Sequence, residues 1–179
     1  MLTIRKARFS DVPAIEQLIA RETELGTLRP RFVLPAAFLV ADGPGGTIAG
    51  IVAVDRLTSK VCELGSLVAA EPGHGVGSLL VQSALLWAEE RGFESIVALT
   101  GAQGFFDRFG FRASADTPWA RALKASGRPA PTPLTTSPRL AAAATVRART
   151  CLSCERLGAC GQSFLVRSIE AFATAEVYA

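Results

Sequence analysis

Three glycines at alternate positions form the segment of the chain best suited to bind an anion. Residues 72–78 read PGHGVGS and join the apolar run 64–69 to a helical pattern that starts near Ser78. A strand, a glycine-rich turn and a helix N-terminus bring several backbone N–H groups close to the positive end of the helix dipole. The spacing therefore predicts a site for a phosphate-bearing ligand.

The loop departs from two common phosphate-binding motifs. A P-loop has a lysine directly after its glycines, and no lysine follows here. A dinucleotide-binding motif has the spacing G-x-G-x-x-G and an acidic residue at the end of the next strand. Here the spacing is G-x-G-x-G, and the next strand ends at Leu99-Thr100. The alternative to an anion site is a plain tight turn before a helix.

Predicted strands and helices alternate around this loop. Ser10 or Asp11 would cap a first helix that carries its apolar residues on one face. A second helix is predicted over 78–91, where Gly92 ends it, and a short third helix over 105–109. Strands are predicted over the apolar, partly β-branched runs 2–7, 38–41, 47–54, 61–68, 95–99 and 164–169. A further strand is predicted after the third helix, so the order is β-α-β-β-β-α-β-α-β, followed by the final strand. This order predicts an α+β (mixed α/β) fold, with a mixed sheet and helices on both faces.

The composition is that of a globular protein. The 179 residues are 49% hydrophobic and 20% charged, and the chain is long enough to bury a core. A net charge of +3 is too weak to indicate nucleic-acid binding. The N-terminal residues lack the apolar stretch of a signal peptide, and no segment approaches a membrane span. We therefore expect a cytoplasmic protein with reduced cysteines, no membrane contact and no nucleic-acid partner.

Segments in the same order resemble one known family. The glycine loop between strand and helix is similar to the acyl-CoA pyrophosphate loop of the Gcn5-related (GNAT) acetyltransferase superfamily. The opening IRKARFSDV at 4–12 resembles the first strand and helix start of that superfamily, and FFDRFGF at 105–111 resembles its late F-[FY]-x-x-x-G-F element. The resemblance implies the GNAT acyltransferase fold, a mixed but mostly antiparallel sheet with helices on both faces, and acetyl-CoA as cosubstrate.

A narrower resemblance is to short bacterial N-acetylglutamate synthase-like acetyltransferases. It is carried by CELGSL at 62–67, by ALT at 98–100 and by a C-x2-C-x5-C cluster before the last strand. We therefore expect an acetyl-CoA-binding core over 1–118, a basic Pro/Ala-rich insert over 119–150, and a segment 151–179 with the cysteines, the final strand and the tail.

The resemblance implies roles for individual residues. In this superfamily the amine attacks the thioester directly, so a general base must remove a proton from the ammonium group. Glu63 is the predicted base, and a surface strand carboxylate is the alternative. The amide of Leu67 or Val68 would bond the thioester carbonyl. The predicted contacts to the rest of the cosubstrate are Gly73, His74, Gly75, Val76, Gly77, Ser78 and Phe106.

Three positions depart from the family pattern. Pro72 stands where a basic residue usually begins the phosphate loop, and Phe106 stands where many relatives have a general-acid tyrosine. Gly65 stands where synthase relatives often have an arginine that can pair with a substrate carboxylate. Arg29 and Arg31 are the predicted substitutes, with solvated loop arginines as the alternative. Glutamate is the leading acceptor on this basis.

The cysteine cluster suits a metal by its spacing. Cys151, Cys154 and Cys160 would hold zinc or an iron–sulfur cluster, with Cys62, His74 or a residue of another chain as the fourth ligand. The alternative is a set of reduced thiols that pack as small apolar side chains.

Three functions compete. The first is an N-acetyltransferase for a small amino acid, with glutamate as its leading candidate. The second acetylates another amine or an amino-acid-like toxin. The third is a non-catalytic acetyl-CoA-binding or metal-sensing module. A homodimer is common among the relatives and is expected here.

Overall fold

The structure, a computed structural model, describes residues 2–113 and 162–169. In these ranges the helices are α1 (Val12–Glu24), α2 (Val76–Glu90) and α3 (Gln103–Asp107). The strands are β1 (Thr3–Lys6), β2 (Phe38–Asp42), β3 (Ile48–Arg56), β4 (Val61–Ala69), β5 (Ser95–Thr100), β6 (Arg112–Ala113) and β7 (Ser163–Ser168). The predicted order of strands and helices is confirmed, and the two-residue strand β6 is the strand predicted after the third helix.

All described strands join one sheet, in the order β1-β2-β3-β4-β5-β7-β6. The neighbouring strands are antiparallel except for β4 and β5, which are parallel. Parallel neighbours need a crossover connection, and α2 provides it. The sheet is therefore mixed and mostly antiparallel, as the family resemblance implied.

Apolar side chains alternate between the two faces of the sheet. On β3, Val52 belongs to the apolar cluster that contains α2, and its neighbour Ile51 belongs to the cluster that contains α1. On β2, Leu39 belongs to the cluster that contains α2, and Val40 belongs to the cluster that contains α1. Two cores therefore lie on opposite faces, with α1 over one and α2 over the other, which confirms helices on both faces.

Strand β4 changes face halfway along its length. Leu64 belongs to the α2 cluster, whereas Val68 belongs to the α1 cluster, although strict alternation would put residues four apart on one face. Between the pairs Ala53–Gly65 and Ile51–Val68, β4 advances one residue more than β3. Ser66, with φ of 45°, lies in this stretch. The extra residue is a β-bulge, which bends the strand and re-aims the side chains after it.

A charge cluster holds the start of α1 against the sheet. Arg5 donates through Nε to Asp42 at 2.9 Å and through Nη1 and Nη2 to Asp11 at 2.7 and 3.1 Å. Asp11 is buried and also accepts the Arg8 N–H at 2.6 Å. Asp11 is the N-cap residue of α1, but its side chain makes no capping bond, so that part of the prediction was wrong. The carboxylate bonds the guanidinium instead, because a charge-assisted bidentate pair is the stronger interaction.

We expect Asp11→Asn to lower the free energy of unfolding by about 2 kcal/mol at pH 7. The Arg5 guanidinium holds the pKa of Asp11 below its ordinary value of 3.8. The carboxylate therefore stabilises the fold above about pH 4, and this contribution is lost as the pH falls through the lowered pKa. Urea denaturation at pH 7 and pH 3 measures the effect, with exposed Asp107→Asn as the control. A wild-type to variant difference that is the same at both pH values would contradict it.

Two predicted segments lie outside the described residues. One is the insert at 119–150, and the other is the segment 151–179 apart from residues 162–169. The division of the chain at these boundaries stays a prediction.

The longest helix of the described part, α2, has 15 residues, and none of the helices there has the length and apolar character needed to cross a membrane.

Candidate active site

A cleft opens where β4 and β5 separate. The two strands pair from Val61–Ser95 to Leu64–Ala98. Beyond that point a cleft of about 870 Å³ lies between residues 65–69 of β4 and residues 99–102 at the end of β5. The β-bulge of β4 falls in this unpaired half. The β4 edge facing the cleft, which includes Leu67 and Val68, can therefore offer backbone N–H groups to a ligand.

The glycine loop and the N-terminus of α2 form one wall of the cleft. Gly73 and Gly75 have φ values of 90° and 78°, a left-handed conformation that favours glycine. Within the described part of the chain, no atom lies within 4 Å of the Cβ position at either residue, so the loop leaves open space beside its backbone there. Helix α2 begins at Val76, two residues before the predicted start at Ser78, with Gly75 as its N-cap. The amide groups of its first turn suit a phosphate.

A glycine outside the loop, Gly50 of β3, brings α2 close to the sheet beside this wall. A Cβ atom on Gly50 of β3 would lie 2.7 Å from Val76 Cγ1, 2.7 Å from the Val68 carbonyl oxygen and 3.0 Å from Leu80 Cδ1. These separations are shorter than van der Waals contact. The absence of a side chain at Gly50 thus lets the first turn of α2 pack directly on β3 and β4.

The cleft brings together most of the residues predicted to contact the cosubstrate. Phe106 lines it from α3, with its ring edge-on to those of Phe105 and Phe111. His74 does not line it: its side chain is 69% exposed, and its Nδ1 lies 4.0 Å from Glu71. The predicted residues that do line the cleft are Leu67, Val68, Gly73, Gly75, Val76, Gly77, Ser78 and Phe106.

Glu63 lies on β4 just before the cleft. Its neighbours Cys62 and Leu64 belong to the α2 cluster, so alternation places Glu63 on the α1 face. Glu63 is buried and stands directly opposite Asp55 on β3. The cleft itself is lined by the next two residues, Leu64 and Gly65. The predicted base thus lies one strand repeat from Gly65, on the face that α1 covers.

The two predicted substrate arginines are not among the residues that line the cleft. Arg31 donates from Nη1 and Nη2 to Asp55 at 2.8 and 2.9 Å, and its guanidinium lies 5.0 Å from the centre of the Phe38 ring. This bidentate pair joins residues 24 positions apart, so the spacing of the sequence did not reveal it. The binding of a substrate carboxylate by Arg29 and Arg31 stays a prediction.

Cys62 does not suit the metal site considered for it. Its side chain is fully buried in the α2 cluster, and this desolvation raises the pKa of the thiol to about 12. A zinc ligand must be a thiolate, which this surrounding disfavours. Within residues 2–113 and 162–169 no group of three His, Cys, Asp or Glu could hold a metal. Cys151, Cys154 and Cys160 lie outside these residues.

Sequence reasoning missed three charged residues that line the cleft, Glu22, Glu71 and Arg108. Arg108 lies at the end of α3, and its guanidinium stacks 5.0 Å from the centre of the Phe105 ring. That ring in turn lies 3.5 Å from the Cβ position of Gly77. The sequence could have pointed to Arg108, because this residue lies within the FFDRFGF element. It could also have pointed to Glu22, because this charged residue continues the apolar stripe of α1.

Comparison with known proteins agrees with this geometry. The sequence profile of the Acetyltransferase (GNAT) family matches residues 7–111. An amino-acid acetyltransferase of Mycobacterium tuberculosis is 35% identical over 127 residues, which are 64% of this chain and 71% of the relative.

Two solved structures are also similar to the chain. One, from Mycobacterium tuberculosis in complex with CoA, is 24% identical with a TM-score of 0.73. The match covers 94% of this chain and 99% of the chain in that structure. The other is an N-acetylglutamate synthase from Neisseria gonorrhoeae in complex with coenzyme A and N-acetyl-glutamate. It is 19% identical with a TM-score of 0.67, and the match covers 95% of this chain and 35% of the synthase. At these identities the two structures support the fold. Together with the profile and the curated relative, they show that the chain belongs to the acetyltransferase (GNAT) family and is an acetyl-CoA-dependent N-acetyltransferase.

Proposed function

We propose that the protein transfers the acetyl group of acetyl-CoA to the amino group of a small amino acid. The observation that carries the proposal is the 35% identity to a relative named as an amino-acid acetyltransferase. The likeness of fold to a synthase bound to N-acetyl-glutamate supports the same class of acceptor. Glutamate remains the acceptor predicted from the sequence, and Arg31 would have to leave Asp55 to bind its carboxylate.

The donor half of the reaction uses the glycine-loop wall of the cleft. The amides of 73–78 would hold the pyrophosphate, with the dipole of α2 adding positive potential. The thioester would lie at the unpaired edge of β4, where an amide of Leu67 or Val68 would bond its carbonyl oxygen. The same amide would stabilise the negative charge that develops on this oxygen as the amine attacks.

Glu63 would complete the acceptor half. Its carboxylate takes a proton from the acceptor ammonium, directly or through one water, and the neutral amine attacks the thioester carbon. The C–N bond forms, the C–S bond breaks, and the electron pair leaves with sulfur. The attacking nitrogen then gives up its second proton. The phenyl ring of Phe106 cannot donate a proton, so this proton passes through water to the thiolate, or the thiolate leaves as the anion and the proton passes to water.

A panel of acceptors tests the proposal. Release of CoA thiol from acetyl-CoA is measured with each of the common amino acids, with simple amines, and with no acceptor. We expect turnover with at least one amino acid and little with simple amines. Turnover with amines alone would favour the second function of the sequence analysis. Acetyl-CoA binding by calorimetry without turnover on any acceptor would favour the non-catalytic module.

Arg108→Gln should raise the KM for acetyl-CoA about fivefold and change kcat little, because Arg108 would pair with a phosphate at the solvent-exposed mouth of the cleft. It is the single Lys or Arg side chain among the described residues that line the cleft. Arg91→Gln is a matched control, since Arg91 also stacks on an aromatic ring, that of Trp87 at 3.9 Å, away from the cleft. Steady-state kinetics measure both variants. Equal KM values in the two would exclude this role.

A further inference from the structure

We propose that the end of the cleft next to α1 binds a positively charged side chain of the acceptor. The preferred amino acid would then carry an amine or guanidinium on its side chain, with the attacked amino group nearer Glu63. This inference rests on the proposed function, because it names the class of amino acid. It is carried by Glu22 and by the groups around its carboxylate.

Glu22 occupies a position that the pattern of α1 reserves for an apolar residue. Ile15 and Ile19 are buried against the sheet, and Glu22 follows them at the spacing that continues this face. Its side chain is 19% exposed and lines the cleft. A carboxylate in the last turn of a helix also meets the negative end of the helix dipole. Both features disfavour Glu22 for folding, and a local choice of this kind is typical of a functional position.

The hydrogen bonds around Glu22 leave acceptor atoms for a ligand. The hydroxyl of Thr27, which also lines the cleft, lies 2.6 Å from Glu22 Oε2 and 2.9 Å from the Glu22 carbonyl oxygen. Because the carboxylate can only accept, the hydroxyl hydrogen is committed to Glu22, and the lone pairs of the hydroxyl oxygen remain. A group that binds between the carboxylate and this oxygen must therefore be a hydrogen-bond donor, as an ammonium or guanidinium is.

Among the described residues, the charge at this end of the cleft is negative. The other described residues that line it there carry no charged side chain: Gly26, Leu28, Gly65 and Ser66. No atom of the described residues lies within 4 Å of the Cβ position of Gly65, which leaves room there for a long acceptor side chain. A carboxylate in this space would be repelled by Glu22.

The side chain of Arg21 lies close to Glu22, and Arg21 is outside the cleft lining. Arg21 Nε is 3.7 Å from Glu22 Oε1, and Arg21 also donates through Nη1 to the Ala70 carbonyl oxygen at 3.3 Å. The Arg21 side chain is 50% exposed, and an ion pair this open neutralises little charge. Glu22 therefore keeps most of its attraction for a cation in the cleft.

The test compares acceptors that differ in side-chain charge. Values of kcat/KM are measured for lysine, arginine, glutamine and glutamate with the wild type, Glu22→Gln and Glu24→Gln. Glutamine at position 22 can still accept the Thr27 hydrogen bond, so the fold is expected to survive. Glu24 is an exposed carboxylate of the same helix that does not line the cleft, which makes it a matched control.

We expect the wild type to prefer lysine or arginine over glutamate. Glu22→Gln should reduce kcat/KM for the basic acceptors about tenfold, mainly through KM, because a charge-assisted hydrogen bond is lost. Its kcat/KM for glutamine should stay nearly unchanged, and Glu24→Gln should match the wild type on all four acceptors. Thr27→Val is a second variant, which should reduce kcat/KM for the basic acceptors by a smaller factor than Glu22→Gln does.

Two results would overturn the inference while the proposed function stands. One is a wild-type preference for glutamate. The other is an equal loss on all four acceptors in Glu22→Gln, which would assign Glu22 to the common α-ammonium or to the fold. If no amino acid is acetylated although acetyl-CoA binds, the proposed function itself fails, and the inference fails with it.

Discussion

Replacing Glu63 with glutamine is expected to lower kcat by about 10²- to 10⁴-fold, the usual contribution of a positioned general base. The affinity for acetyl-CoA should change little, because Glu63 lies outside the set of residues that line the cleft. Glutamine has nearly the same shape and fits the same buried position, but its amide cannot take a proton from an ammonium group at neutral pH.

Thiol release measures kcat, and calorimetry measures acetyl-CoA binding. The control is Glu94→Gln, which removes an exposed carboxylate paired with Lys60 at 3.1 Å, away from the cleft. The pH profile gives an independent readout. Without a base, only acceptor that is already deprotonated reacts, so the rate of the variant should rise about tenfold for each pH unit below the pKa of the amine. A variant with wild-type kcat at pH 7 would place the base elsewhere.

Local chemistry explains how much of the fold was predictable. Glycines, caps and alternating apolar residues act over a few positions, so their effects can be seen in the sequence. The strands and the three helices were found in this way, and the anion site at the glycine loop was predicted by the same reasoning. The observed bounds of these elements differ from the predicted ones by one to two residues. At Gly75, for example, the left-handed backbone lets α2 start before Ser78.

The face of α2 was less predictable, because apolar residues surround most of this helix. Leu79 and Leu86 resemble core residues in the sequence, yet they are 40% and 58% exposed. The small residues Ala84 and Ala88 are fully buried in their place. Periodicity locates a buried face only when the opposite face is polar, and α2 lacks that contrast.

Long-range contacts account for what the sequence could not predict at the site. The β-bulge around Ser66 depends on the register between β3 and β4, and it decides which way Leu67 and Val68 point. The pair of Arg31 with Asp55 depends on the loop after α1 meeting the sheet. Neither contact leaves a local pattern, so Arg31 could be predicted as a substrate ligand but not as the partner of Asp55.

Gly50→Ala is expected to destabilise the protein by about 3 kcal/mol, because overpacking a rigid contact costs that order of free energy. The added Cβ atom would lie 2.7 Å from the Val68 backbone oxygen and 2.7 Å from Val76 Cγ1. The backbone oxygen cannot rotate away as a flexible side chain can, so α2 and the sheet must move apart. Movement of the first turn of α2 would also displace the amides of the glycine loop, and the KM for acetyl-CoA should rise.

Gly104→Ala separates this packing effect from the general effect of replacing glycine. Gly104 lies within α3, and none of the described residues has an atom within 4 Å of its Cβ position. Alanine there should leave stability unchanged or raise it by up to about 1 kcal/mol, through helix propensity. Urea denaturation measures stability, and steady-state kinetics measure the KM. If Gly50→Ala and Gly104→Ala gave equal stability, the close approach of α2 to β3 would not be what holds the glycine loop in place. If Gly50→Ala lost stability but kept its KM, the sheet would have yielded rather than the first turn of α2, and the anion site would be independent of that contact.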